Sequence, residues 1–138
     1  MASERHERPT GGELSVAISN GMVHLLRQYT GRGPTKARTT VGRDHVLIMV
    51  PDSLTRCERT LVNAGHEEDV LRIRRRFQEV MRPEANRMIE ELTGRNVTGF
   101  MSDNHANPDL GVEVFILEPD GRPVELQEGE STEGGQSE

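Results

Sequence analysis

Apolar residues in the first quarter of the chain recur at helical spacing. Leu14, Ile18, Met22, Leu25, Leu26 and Tyr29 share one face, and Thr10 and Glu13 stand three apart ahead of them like a capping box. Gly31, Gly33 and Pro34 close the pattern, since glycine accepts a left-handed cap and proline cannot extend the hydrogen-bond ladder. The spacing predicts a helix over about 12–30. The period then changes. "KARTTV" alternates and is rich in β-branched residues, "GRD" reads as a turn, and "HVLIMV" is a short apolar run, so a hairpin ending at Pro51 is expected. Ser53 is placed to cap a short helix in "LTRCERTLVNA", on which Cys57 is expected as a buried, inert thiol.

Helical spacing returns from Glu67 to Leu92. Val70, Ile73, Phe77, Val80, Met81, Met88, Ile89 and Leu92 make the apolar stripe, with Arg72, Arg74, Arg75, Arg76, Glu79 and Glu90 mostly facing away. Pro83 is expected to kink or restart this helix near Arg82. "TGRN" ends it, "VTGFMS" and "VEVFIL" follow as strands, and "DNHANPDLG" between them has loop composition.

Two halves of the chain share one plan. "LLRQYTGRG…HVLIMVPD" and "MIEELTGRN…VEVFILEPD" each run helix, Thr-Gly-Arg, strand, turn, strand, Pro-Asp, with Leu25 to Arg32 aligning with Met88 to Arg95 at a shift of 63. An α-β-β unit leaves a sheet face and a helix stripe bare, and two such units cover each other. The expected fold is therefore α+β. Two α-β-β repeats, about 12–52 and 66–120, would form a four-stranded, mostly antiparallel sheet with helices packed on one face. The single domain is expected over 12–118, between disordered tails at 1–11 and 119–138.

Composition narrows the function classes. The net charge of -6 argues against a nucleic-acid partner, because such binding needs a positive surface to displace counterions. One cysteine among 138 residues leaves no intrachain disulfide and fits a reducing cytoplasm. "MASERHERPTGGE" lacks the apolar core of a signal peptide, and the longest apolar run, Val46–Val50, is far short of the roughly 20 residues that span a bilayer, so no transmembrane segment is expected.

Candidate chemistry is sparse. "TGRGPTKARTTVG" has glycines and cations, but a phosphate-cradling loop opens a helix with Lys-Ser/Thr, whereas this one follows a helix and leads to a strand. Arg32, Lys36, Arg38 and Arg43 remain as candidate anion-binding residues, with Lys36 and Arg38 on one strand face by alternation. His105 beside Asp103 and Asp109 is weighed as a metal or acid–base pair, but neither calcium-loop nor zinc spacing is present, so no metal, cofactor or catalytic residue is assigned. "RIRRRF" reads as a solvated helix face balanced by acidic neighbours, and the long stripe beneath it makes homo-oligomer formation the expectation.

"GRGP", "DHVLIMV", "LTRCERTL", "VLRIRRRF", "ELTGRNV" and "SDNHANPDLGVEVFIL", in that order over roughly 12–117, resemble the MpsC-like family. That family is named for a sodium-translocating, membrane-potential-generating system. The resemblance implies a small soluble component working with membrane proteins of an ion- or bicarbonate-linked complex, and no catalytic residue comes with it. A non-enzymatic, cytoplasmic accessory protein docking to membrane-complex subunits at the inner face of the membrane is the first expectation. An anion- or nucleotide-sensing domain using the Arg32–Arg43 loop is the alternative.

Overall fold

The computed structural model describes residues 8–31 and 36–119, so Arg32, the Gly33–Pro34 pair, and the two tails outside 8–119 fall beyond it. Helix α1 spans Gly11–Thr30, strand β1 Arg38–Val41, and strand β2 His45–Pro51. Helices α2, Arg56–Asn63, and α3, Glu67–Thr93, follow, then strands β3, Val97–His105, and β4, Leu110–Leu117. The sheet order is β1-β2-β4-β3, antiparallel throughout, so two hairpins join through their inner strands. The α+β architecture with helices on one face is as the periodicity predicts.

Gly31 and Gly94 end α1 and α3 alike. They take left-handed φ values of 80° and 73° and donate their N–H groups to Arg27 and Glu90 carbonyls, at 2.9 and 2.8 Å. Each Thr-Gly pair is thus a place where a helix is stopped.

Strand alternation sorts the sheet into two faces. Val46, Ile48 and Val50 of β2 and Gly111, Glu113, Phe115 and Leu117 of β4 are buried beneath α1 and α3. Ile18, Met22, Leu25 and Leu26 of α1 and Met81, Ala85 and Ile89 of α3 complete that core. Phe115 meets Phe100 with ring centroids 4.9 Å apart, in a core made mostly of aliphatic and Met side chains with Tyr29 packed at its margin.

Several local expectations are corrected. Thr10 takes the cap backbone conformation, but its side chain accepts no capping bond. The short helix is capped not by Ser53 but by Thr55, which forms a full capping box with Glu58. Cys57 is exposed, because α2 buries none of its residues. Strand β3 runs on to His105, which shortens the expected loop to Ala106–Asp109. Helix α3 continues through Pro83 without restarting. Pro83 and Glu79 both lie exposed, so the carbonyl that loses its partner faces water rather than the core.

Phe115→Ala removes the largest fully buried side chain and is expected to cost about 3–5 kcal/mol, read as a lower urea midpoint at unchanged slope.

Candidate functional site

The inward line of α3 is Val70, Arg74, Gln78, Met81, Ala85 and Ile89. Two of its six members are polar, and they meet polar partners on the sheet. Arg74 is 8 % exposed, and its guanidinium donates to Asn104 Oδ1 (3.1 Å), Glu58 Oε1 (2.8 Å) and Ser53 Oγ (2.9 Å). Asn104 Nδ2 donates to Gln78 Oε1 at 3.0 Å, and Gln78 Nε2 donates to Glu113 Oε2 at 3.4 Å. Gly111 leaves room for this crossing, since a Cβ there would sit 3.2 Å from Asn104 Oδ1. The network ties α2, α3 and the sheet together, and each link satisfies a group whose burial would otherwise be costly.

Asp109 does the same at the edge of the sheet. Its carboxylate accepts from the backbone N–H groups of Ser53 (3.0 Å) and Leu54 (3.1 Å) and from Arg59 (3.0 Å). It therefore holds the β3–β4 turn against the segment between β2 and α2.

The network ends on an incomplete group. Glu113 is 3 % exposed, flanked in its row by Ile48 and Ser102, and its Oε1 has no hydrogen-bond partner among the described residues. Burial pushes its carboxyl up to about 7, opposed by the Gln78 hydrogen bond, the Arg74 charge and the nearby Ser102 hydroxyl. Glu113 lines a cavity of about 20 Å³, room for one water, with Gln78, Arg74, Asn104, Leu26 and Phe77. The cavity opens where α1 stops, in a notch between Tyr29 and α3.

Beyond that notch no helix among the described residues lies beside this flank of α3. At 27 residues, α3 is about 40 Å long against about 30 Å for the 20 residues of α1. Ile73, Phe77 and Val80 occupy this flank at i, i+4 and i+7, exposed by 52, 38 and 64 %. Arg72 and Arg76 are exposed next to them. The expected apolar stripe thus divides, with Val70, Met81 and Ile89 inside and Ile73, Phe77 and Val80 outside. Arg74 corrects the expectation of an outward arginine face. It stands four residues from both Val70 and Gln78, so helical geometry points it inward.

The candidate anion residues are dispersed. Arg32 lies outside the described residues. Lys36 precedes β1 and lines an open cleft of about 350 Å³ with Ser19, Asn20, His24 and Arg27 of α1. Arg38 belongs to the opposite sheet face, since it alternates with Thr39, whose hydroxyl bonds Ser19 of α1 at 2.7 Å. Arg43 sits in the turn at the far end of β1, its carbonyl accepting from Arg95 at 2.7 Å. His105 Nδ1 lies 3.0 Å from the Pro108 carbonyl, and among the described residues no His, Cys, Asp or Glu group converges as a metal site.

Sequence reading missed Arg27 and His24, which lie on the outward side of α1, and the Arg74–Asn104–Gln78–Glu113 network. A polar residue in alternation with Val112, Val114 and Ile116 reads as solvent-facing. Only the placement of α3 shows that this alternate face is the buried one.

Because the folded state raises the Glu113 carboxyl above its ordinary 4.5, stability is highest while it is protonated in both states. Stability is expected to fall as pH rises from about 4.5 to about 7 and then to level. Glu113→Gln is expected to flatten that slope and to stabilise the protein at pH 8 by up to about 3 kcal/mol, checked by urea unfolding at pH 4, 6 and 8.

Residues 10–119 match a family described as Na+-translocating membrane potential-generating system (MpsC). Searches of curated proteins and of solved structures returned no match. With the match spanning nearly all of the described domain, the chain belongs to the MpsC family.

Proposed function

We propose that this protein is a non-catalytic accessory module that docks through the free flank of α3 onto a subunit of a membrane-potential-generating complex. The observation that carries the reading is the exposed Ile73, Phe77 and Val80 row, continuous with Phe77 at the mouth of the notch. Large side chains at this spacing suit an amphipathic helix laid alongside. Arg72 and Arg76 beside the row select a partner helix with acidic residues flanking its apolar face. The polar groups behind it support a scaffold rather than a reaction. Arg74, Asn104 and Gln78 direct their hydrogen bonds to one another and to neighbouring elements.

The family description supplies the setting. No helix among the described residues is long and apolar enough to cross a membrane, so the work of moving an ion would fall to partners. The reading places the protein in the cytoplasm, held at the inner face of the membrane by that contact.

A photo-reactive residue at Val80, used in the native cell with membrane and soluble fractions kept apart, tests this. The expected product is an adduct with an integral membrane protein, lost in a folded Phe77→Asp variant. Adducts confined to soluble proteins, or to a second copy of this chain, would overturn it.

A second reading has one observation in its favour. The cleft beside α1 brings Lys36, Arg27 and His24 together, the arrangement an anion sensor would need, although without Arg38 or Arg43. On this reading millimolar phosphate or nucleoside triphosphate raises Tm in the wild type and not in Lys36→Glu, and a flat wild-type response removes it.

A further inference from the structure

We propose that two copies of this chain pair through the sheet face opposite the helices, about a two-fold axis parallel to the strands. This surface is distinct from the α3 flank and does not depend on the docking reading.

The face is apolar, and nothing among the described residues covers it. Leu47 and Met49 of β2, Met101 of β3 and Leu110, Val112, Val114 and Ile116 of β4 alternate with the buried set, and none of them is buried. Helices α1 and α3 lie on the other side, and α2 meets α3 there through Glu58 and Arg74. An antiparallel sheet with one face packed ordinarily turns a polar face to water. Here the centre of the outer face is as aliphatic as the inner one. Four strands about 4.8 Å apart and about 23 Å long give a footprint of roughly 440 Å² per copy. Two copies therefore bury about 900 Å² together, the size of a weak, concentration-dependent pairing.

Charge identifies the occupant. One row across this face reads Arg38, Met49, Val112, Asp103, from the β1 edge to the β3 edge. It is positive at one edge, apolar in the middle and negative at the other. A two-fold axis along the strands lays the β1 edge of one copy over the β3 edge of its partner, so Arg38 meets Asp103 at both edges. An axis across the strands would put both Arg38 side chains on one edge and both Asp103 on the other. The first arrangement satisfies the charges and the second opposes them. Such rim pairs add little affinity but fix orientation, while the aliphatic centre supplies the attraction. Aligned packing of two sheets fits this axis. The parts of the chain outside the structure are poor substitutes as a cover, because the sequence after Pro119 offers only Val124 and Leu126 as large apolar residues.

Sedimentation velocity from about 1 to about 100 μM, with circular dichroism to confirm the fold, tests the pairing. The wild type is expected to be dimeric in this range, and Val114→Asp, at the centre of the face, monomeric. If that variant does not fold, Met101→Asp takes its place, since Met101 is already 57 % exposed. Arg38→Asp and Asp103→Arg each set like charges together at both edges and are expected to weaken dimerisation about tenfold or more. Combining the two reversals restores opposite pairs and the affinity. A monomeric wild type, a dimer indifferent to the central substitution in a folded protein, or a double reversal no better than either single one would each overturn the proposal.

Discussion

Val46 opposite Phe115, Ile48 opposite Glu113 and Val50 opposite Gly111 are three of the seven pairs that join β2 to β4 down the middle of the sheet. The two hairpins meet nowhere else in the sheet, so this register decides which side chains lie under the helices. A slip of one residue would turn Val112, Val114 and Ile116 toward α3 and send Phe115 and Leu117 to the outside. The core, the polar network and the bare outer face are all consequences of the same alignment.

The network on α3 is what distinguishes this core from a purely aliphatic one. An apolar line at those positions would pack against almost any sheet surface. Arg74 and Gln78 pack only where Asn104, Ser53 and Glu58 complete their hydrogen bonds, because a guanidinium without partners in the interior would cost several kcal/mol. The arginine thus fixes where α3 sits along the sheet and brings α2 onto it. Glu113, at the end of the line, has one carboxylate oxygen unpartnered among the described residues and carries the charge least suited to its place.

Length mismatch between the helices shapes the outside of the molecule. Since α1 stops at Gly31 while α3 runs on, the N-terminal half of α3 keeps an apolar flank that nothing in the described fold covers. The sheet leaves a second apolar surface on its far side. The two surfaces lie on different sides of the domain, so the docking proposed for the one and the pairing proposed for the other would not compete.

Periodicity alone determined the order of helices and strands, because 3.6- and two-residue repeats are local properties written into Leu14–Tyr29, Val46–Val50 and Val112–Leu117. The glycine stops were equally legible, as only a left-handed cap suits Gly31 and Gly94 at those points. The inward face of α1 was legible too, with Ile18, Met22, Leu25 and Leu26 buried as their spacing implies, but the inward sides of α3 and of the strands were not. Ile73 and Phe77 are as apolar as Met81 and Ile89, yet the first pair is exposed, and Arg74 and Glu113, charged by type, are buried. The cations gathered by composition in 32–43 were likewise separated, with Lys36 set beside α1 and Arg38 on the other face. Burial depends on what stands opposite a residue, and that is fixed by strand register and helix length acting between segments far apart in the chain.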